Sequence, residues 1–261
     1  MGPMISQDSL QSGRRGCSLC DIPEQHDERR SVGPSAVSRR SLLRAGVAGS
    51  AAALLAAAGI DVATLRPAFG QSALTPDAAL TQMMDGNQRF MDKRFISFEE
   101  DLAELKQNTA EKQTPFAAVL SCADSRVPTE LVFDQSIGHL FVARVAGNIA
   151  SSDVIASLEY GVAALGTKVI MVMGHGNCGA VTAAIAGKAV PGQISTLYSY
   201  LRPAVDQAGP DLEATIRANA KIQAKILADA SPVLAEAVKA GTLKVVASYY
   251  DLVSGKVSLL S

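Results

Sequence analysis

The sequence contains no tryptophan, and it has few cysteines, few histidines and almost no net charge. Four cysteines are too few for a small secreted scaffold held together by disulfides. A formal net charge of -1 gives no electrostatic reason to expect a nucleic acid as a partner. Hydrophobic residues nevertheless make up 48% of the 261 positions, so a large core can be buried. The length favours one domain, alone or with an appended segment.

The N-terminal part also lacks an apolar run long enough to cross a membrane. Residues 1–40 are polar and rich in Arg, Ser and Gly, and a paired arginine precedes residues 45–60, which carry no charge. A span needs about 20 apolar residues, so this stretch resembles a twin-arginine export signal more than an anchor. We predict that residues 1–74 form a mostly disordered leader, signal and linker. The implied partner is the twin-arginine export machinery, and the predicted location is the periplasm, with a membrane tether if the signal stays uncut.

The four cysteines fall into two pairs with different interpretations. Cys17 and Cys20 form a single C-x-x-C ahead of the signal, and they lack the second ligand pair of a structural zinc site. We therefore assign them to the leader without a function. Cys122 and Cys178 lie in the remaining part of the chain, where metal binding or catalysis explains them better.

From Thr75 onward the pattern alternates between helices and strands. Thr75 is predicted to cap a helix that has Pro76 at its first position. The other predicted helices cover roughly 98–111, 152–166 from a Ser152 cap to a Gly166 stop, a segment beginning near Cys178, and 211–240 with a break at Ser231-Pro232. Apolar runs predict strands at 116–120, 140–145 and 168–173, and the last strand within 243–252.

Continuous apolar strands separated by helices indicate a parallel sheet covered on both faces. We therefore predict an α/β domain over residues 75–261, with a central, mostly parallel β-sheet flanked by helices. In such sheets the chemistry lies beyond the carboxyl ends of the strands. Cys122, Asp124, His175 and Cys178 all follow predicted strand ends. Position and residue type thus agree on a candidate site.

Three of these residues have the spacing of a metal site. His175 and Cys178 form an H-x-x-C pair, and Cys122 lies 53 positions before His175. One close pair and one distant ligand leave a free position of a tetrahedral site, which is typical of catalytic zinc. Thiolate and imidazole ligands suit zinc rather than Mg or Ca. Spacing alone leaves open that the cysteines are small apolar core residues.

The residues beside these candidates have chemistry of their own. Asp124 can occupy the free position or accept a hydrogen bond from a zinc-bound hydroxide, and Arg126 can hold that carboxylate in a bidentate contact. The alternative is a surface salt bridge of little consequence. Gly174, Gly176 and Gly179 are predicted to let the backbone pass close to a metal and a small ligand. Gly179 also lies near a helix N-terminus, which favours an anion.

The motifs C-x-D-S-R at 122–126 and H-x-x-C-G at 175–179 resemble those of the beta-class carbonic anhydrases, and the resemblance extends from Thr75 to Leu260. It implies that Cys122, His175 and Cys178 bind one Zn2+ per subunit. It further implies that Asp124 and Arg126 form a dyad beside the catalytic water, with Asp124 as a fourth ligand in a closed state. The implied activity is the reversible hydration of carbon dioxide to bicarbonate and a proton by a metal-bound hydroxide.

The resemblance also implies a substrate pocket and an oligomer. Plant-like members line the carbon dioxide pocket with Gln, Phe and Tyr, which align with Gln113, Phe141 and Tyr160, and Gly179 is assigned to the same pocket. The implied minimal unit is a homodimer, alone or within a dimer-based oligomer, with the pocket at the subunit interface. The N-terminal helices, roughly 75–111, would extend onto the partner. Residues 144–148 read RVAGN where many relatives read RNVAN.

Two other functions remain compatible with these residues. Relatives on the same scaffold hydrolyse carbonyl sulfide or carbon disulfide with the same ligands. A non-catalytic zinc or thiol redox sensor would instead interconvert Cys122 and Cys178 between dithiol and disulfide. The Asp124-Arg126 dyad favours the enzyme, because a thiol sensor does not need it. A purely structural zinc is disfavoured, because no fourth Cys or His lies nearby in the sequence.

Overall fold

The computed structural model describes residues 72–97, 107 and 109–261. The predicted export signal, the C-x-x-C pair and most of the predicted helix at 98–111 lie outside the described residues. The described helices are α1 (Pro76–Met91), α2 (Thr129–Val132), α3 (Ser152–Ala163), α4 (Gly179–Ala186), α5 (Thr196–Ala208), α6 (Leu212–Ala230) and α7 (Pro232–Lys239), with a 3-10 turn at Gly192–Ser195. The described strands are β1 (Ala117–Ser121), β2 (Leu140–Arg144), β3 (Val169–His175), β4 (Lys244–Tyr250) and β5 (Val257–Leu260).

The five strands form one sheet in the order β2-β1-β3-β4-β5. The first four strands are parallel, and β5 pairs with β4 in the antiparallel direction. Ser121, the last residue of β1, lies opposite Arg144 of β2 and Met173 of β3. The prediction of an α/β fold with a mostly parallel sheet and flanking helices is therefore confirmed. The carboxyl ends of β1 and β3, at the middle of the sheet, lie side by side.

The central strands are buried on both faces of the sheet. On one face Val119 and Met171 contribute to a core that also includes Met83 of α1. On the other face Leu120 and Val172 pack with residues of α3, α6 and α7. Because parallel strands covered by helices on both sides cannot alternate between apolar and polar residues, β1 and β3 read as continuous apolar runs. No helix in the described ranges has the length and hydrophobicity needed to span a bilayer.

Side-chain caps explain where several helices begin. The Thr75 hydroxyl accepts a hydrogen bond from the Ala78 amide at 3.2 Å, and Pro76 occupies the first turn of α1 as predicted. Ser231 ends α6 and caps α7 through the Leu234 amide at 3.1 Å, so the predicted break lies at that point. The predicted Ser152 cap is wrong by one residue: the N-cap of α3 is Ser151, whose side chain makes no capping bond.

Two elements differ from the sequence prediction. The strand at Lys244–Tyr250 is not the last one, because β5 follows it after a turn and pairs with it alone. An edge strand of four residues, only partly buried, has too short a pattern to be read by periodicity. Helix α5 was not predicted either, and it contains Pro203, a residue that normally signals a break because it has no amide hydrogen to donate.

Candidate metal centre

The sheet brings Cys122, His175 and Cys178 together. Cys122 directly follows β1, and His175 is the last residue of the adjacent strand β3. The chain then turns at Asn177, whose φ of 53° lies in the left-handed region, and returns Cys178 as the N-cap of α4. One ligand atom from each of the three residues lies within 4.8 Å of the others, and the two sulfurs are 4.0 Å apart. All three residues are buried.

The imidazole of His175 has one partner and one free nitrogen. Nδ1 lies 2.9 Å from the Gly176 carbonyl oxygen, and because a carbonyl only accepts, Nδ1 carries the proton. Nε2 is buried and has no hydrogen-bond partner among the described residues. Leaving a buried polar atom without a partner costs about 1–3 kcal/mol. A metal ion on the Nε2 lone pair would remove this cost, and the Nδ1 bond would fix the tautomer.

The two thiols share a strong electrostatic coupling. The hydrogen bond from Cys178 lowers the pKa of Cys122 below its ordinary value, despite the opposing effect of burial, with further contributions from His175 and the Gly147 amide. The hydrogen bond to Cys122 and burial raise the pKa of Cys178. The pair therefore releases its first proton easily and holds the second. Thiolates are the form that binds metals, and two sulfurs with one imidazole are a donor set that zinc accepts in tetrahedral sites.

Asp124 lies beside this cluster in a bidentate ion pair with Arg126. The guanidinium donates from Nε to Oδ1 at 2.9 Å and from Nη2 to Oδ2 at 2.7 Å, and the Arg126 amide adds a bond to Oδ1 at 3.0 Å. These bonds hold the pKa of Asp124 well below its ordinary value. Oδ2 is 3.9 Å from His175 Nε2. A carboxylate whose ionised form is favoured thus faces the ligand cluster, with both oxygens held by Arg126.

Two residues that sequence reasoning did not assign support the loop after β1. Arg144 donates from Nε to the Cys122 carbonyl at 3.0 Å and from Nη2 to the Asp124 carbonyl at 2.6 Å. The Gly147 amide donates to the Cys122 sulfur at 3.3 Å. The signal for Arg144 was a charged residue at the end of an otherwise apolar strand. No local pattern distinguishes Gly147, because its role depends on a contact 25 positions away.

The glycines of the second motif differ in the protein atoms that surround them. A Cβ on Gly174 would lie 2.9 Å from a methyl carbon of Ile216, so this glycine is required for close packing of α6 against β3. A Cβ on Gly176 would lie 3.1 Å from the Tyr249 hydroxyl. Gly179, the first residue of α4, has open space around it. Neighbouring protein atoms explain why a side chain is disfavoured at Gly174 and Gly176, and the close approach of this backbone to a metal and a small ligand stays a prediction.

Of the predicted pocket residues, Gly179 directly follows Cys178, whereas Gln113, Phe141 and Tyr160 do not join the cluster within one chain. Phe141 pairs with Ala118, four residues before Cys122, which at about 3.3 Å per residue is an offset of about 13 Å along the sheet. The rings of Phe141 and Tyr160 are near each other, with centroids 6.3 Å apart. Gln113 and Tyr160 line a separate cavity of about 400 Å³ that contains none of the metal candidates. Tyr160 is 47% exposed.

The arrangement has the donor set and the surroundings of a metal site. A parallel sheet carries a buried Cys-His-Cys cluster at its carboxyl edge, and an ion-paired carboxylate faces that cluster. Three protein ligands with a neighbouring acid-base group are the pattern of a catalytic rather than a structural zinc site.

Comparison with known proteins supports this classification. Residues 117–257 match the carbonic anhydrase family model. Carbonic anhydrase 2 of Mycobacterium tuberculosis is 33% identical over 198 residues, which cover 70% of this chain and 92% of that protein. A carbonic anhydrase of Pseudomonas aeruginosa is 33% identical over 186 residues, covering 64% of this chain and 84% of that protein.

Comparison with solved structures supports the same classification. A tetrameric beta-carbonic anhydrase from Sordaria macrospora aligns with a TM-score of 0.56 and 26% identity, covering 61% of this chain and 87% of that one. The Coccomyxa beta-carbonic anhydrase, in complex with acetazolamide, aligns with a TM-score of 0.54 and 28% identity, covering 69% of this chain and 86% of that one. The chain belongs to the beta-class carbonic anhydrase family.

Proposed function

We propose that the protein is a zinc-dependent carbonic anhydrase, which catalyses the reversible hydration of carbon dioxide to bicarbonate and a proton. The observation that carries the proposal is the cluster of Cys122, His175 and Cys178 beside the ion-paired Asp124. Family membership supports the same activity, because the curated relatives named above are carbonic anhydrases. These three residues would hold one zinc ion per subunit, through two sulfurs and the Nε2 atom of His175.

Some of the protein's residues would hold the zinc ion, and others would orient the attacking water. When bound, zinc would lower the pKa of a water molecule far below that of bulk water and so supply a nucleophile near neutral pH. Asp124 is ionised at that pH and would accept a hydrogen bond from the attacking water. This bond would turn a lone pair of the water oxygen towards carbon dioxide. Arg126 fixes the carboxylate for this task, since a bidentate contact restrains both its position and its plane. The open side of Gly179 leaves room for a small product.

A closed state, in which Asp124 takes the fourth ligand position, belongs to the same proposal. Both carboxylate oxygens are held by Arg126, so closure requires that these charge-assisted bonds break first. The bonds are partly solvent-exposed, with 51% of the Arg126 side chain accessible, and exposed pairs are worth little free energy. The ion pair therefore favours the open state without locking it.

We further propose that a second copy of the chain completes the substrate pocket. Gln113, Phe141 and Tyr160 lie away from the metal candidates of their own chain, while Tyr160 is exposed. In a homodimer these side chains can face the partner's cluster and provide an apolar wall for carbon dioxide. The extension of the N-terminal helices onto the partner is part of this proposal. Sedimentation at several concentrations tests it: a monomer with full activity would rule it out.

Export by the twin-arginine route is proposed for the leader. The route carries folded proteins, and the ligands of this site come together only when β1 and β3 are adjacent. Folding and metal loading in the cytoplasm would protect both thiols from oxidation in the periplasm. Cell fractionation tests this. Periplasmic activity that disappears when both signal arginines are replaced by lysine is expected, and activity that stays cytoplasmic in the unaltered strain would contradict it.

The decisive experiment is stopped-flow hydration of carbon dioxide as a function of pH, with zinc content measured on the same sample. We expect about one zinc per chain and activity that rises with pH through the ionisation of the attacking water. Parallel assays with carbonyl sulfide and carbon disulfide separate the alternative hydrolases. Purified protein with little zinc and no activity on any of the three substrates would favour the thiol sensor instead.

A further inference from the structure

Helix α6 carries two buried carboxamides on the face that packs against the sheet. Asn219 and Gln223 are separated by one helical turn and are 1% and 0% exposed. The rest of that buried face is largely apolar, including Ile216 and Leu227. Polar groups at such positions require hydrogen-bond partners, and a fully bonded buried network holds the groups it contacts rigidly in place.

Both carboxamides are bonded to the segment that follows β2. Asn219 donates from Nδ2 to the Gly147 carbonyl at 2.8 Å, and Gln223 accepts from the Ala150 amide at 2.8 Å. Gln223 also donates to Asn219 Oδ1 at 3.1 Å and to the Tyr200 carbonyl at 3.1 Å. Backbone carbonyls only accept and backbone amides only donate, so these partners determine the orientation of both side-chain amides.

The same segment places an amide on the Cys122 sulfur. Gly147 has a φ of +78°, which a residue with a Cβ rarely adopts, and its amide donates to Cys122 Sγ at 3.3 Å. Its carbonyl, on the next peptide unit, is the group that Asn219 holds. The segment is therefore fixed on both sides of the Gly147 Cα: by the turn geometry before it, and by Asn219 and Gln223 after it.

We infer that Asn219 and Gln223 are positioning residues for the metal centre, acting through the Gly147 amide on the Cys122 thiolate. An N–H donor draws charge away from a sulfur ligand, so a metal bound to that sulfur stays a stronger Lewis acid. This matters here because two thiolates formally cancel the charge of a zinc dication. Groups that orient or polarise metal ligands in this way commonly change metal affinity 10- to 100-fold when replaced. The inference rests on the proposed metal centre and assigns to it a support that comes from α6.

The test replaces Asn219 with leucine in the full chain and uses an equivalent buried asparagine as control. Asn87 is also 1% exposed, donates to two backbone carbonyls, at Val132 and Gly255, and accepts from the Val257 amide. None of these partners belongs to the metal cluster. Asn219→Leu and Asn87→Leu thus remove comparable buried hydrogen bonds, but only the first removes one that holds the Gly147 segment.

Two measurements distinguish positioning from general stability. The first is zinc affinity by competition with a chelator, and the second is the sulfur-to-cobalt charge-transfer band of the Co2+ form. For Asn219→Leu we expect about 10- to 100-fold weaker zinc binding and a shift of the band to lower energy, because the thiolate loses its donor. Asn87→Leu should keep the unaltered affinity and band. If Asn219→Leu does not fold, as judged by circular dichroism, Gln223→Met is measured against the same control.

The outcomes separate this inference from the proposed function. Unaltered protein that binds neither Zn2+ nor Co2+ overturns the metal centre and the inference together. Normal binding by the unaltered protein, with the same affinity and band in the Asn219 and Asn87 variants, overturns the inference alone. A weaker affinity and shifted band confined to the Asn219 or Gln223 variant supports it.

Discussion

Replacement of Asp124 by asparagine tests the proposed mechanism at a single atom. The carboxylate receives three hydrogen bonds from Arg126, two at Oδ1 and one at Oδ2. An asparagine amide can still accept at Oδ1, but its NH2 group would face the guanidinium, donor against donor. The oxygen that is lost as an acceptor is the one nearest the ligand cluster, 3.9 Å from His175 Nε2. The attacking water therefore loses its hydrogen-bond acceptor.

The size of the effect follows from the bond that is removed. A hydrogen bond to a charged group is worth about 1.5–3 kcal/mol. At about 1.36 kcal/mol per tenfold change in rate, its loss should lower kcat/KM about 10- to 150-fold. Zinc content should be unchanged, because the three candidate ligand atoms belong to other residues. The assay is stopped-flow carbon dioxide hydration between about pH 6 and 9 with metal analysis of each sample.

The chain contains a matched control for this change. Asp92 also forms an ion pair with an arginine two positions later, Arg94, and its pKa is likewise lowered mainly by that arginine. It lies at the end of α1, so Asp92→Asn should keep full activity. Unchanged turnover by Asp124→Asn at every pH, with full zinc occupancy, would refute the proposed role. An equal loss in both variants would show that the effect is not specific to the site.

Three further changes have defined outcomes. Cys178→Ala should abolish both zinc binding and hydration, measured by metal analysis and stopped flow; a metal-free variant with full activity would defeat the mechanism. Gly174→Ala would place a methyl group 2.9 Å from a carbon of α6, and we expect a loss of about 1–3 kcal/mol in the free energy of unfolding by urea. Burial raises the pKa of Asp134, but hydrogen bonds from Ser97 and Arg89 outweigh it and the pKa is lowered overall. A pKa that is lowered in the folded state contributes stability at pH values above the ordinary pKa of about 3.9. This contribution is lost as the pH falls. Asp134→Asn should therefore destabilise the protein at pH 7 with a deficit that shrinks below about pH 4, and a deficit that is constant with pH in urea titrations would contradict this.

The parts of the fold that local chemistry determines could be predicted from the sequence. Thr75 followed by Pro76 specifies a helix start, and Ser231-Pro232 specifies a break, because caps and proline act within a few residues. The apolar runs at β1 and β3 were recognisable because both faces of these strands are covered. Strand β5 and helix α5 were missed, since the first is a short edge strand and the second contains Pro203.

The candidate site, like the fold, contains residues that could be predicted from the sequence and residues that could not. The motif residues Cys122 and His175 could be singled out because their chemistry and their positions at strand ends agree. The supports of Cys122 could not be singled out, because Gly147 and Asn219 reach it through contacts that depend on strand order and helix packing. The packing role of Gly174 could not be predicted for the same reason: the neighbour that disfavours a side chain there, Ile216, is 42 positions away, on α6.

The position of the cluster between β1 and β3 has a consequence for heat resistance. A metal held by residues from two adjacent central strands binds the folded chain and has no equivalent site in an extended one. By mass action, free metal at 100 times its dissociation constant would add about 2.7 kcal/mol to the free energy of unfolding. The melting temperature of such a protein would rise and fall with the metal supply of its surroundings. Its lifetime in a metal-poor environment would therefore depend on the same three side chains as its turnover, those of Cys122, His175 and Cys178.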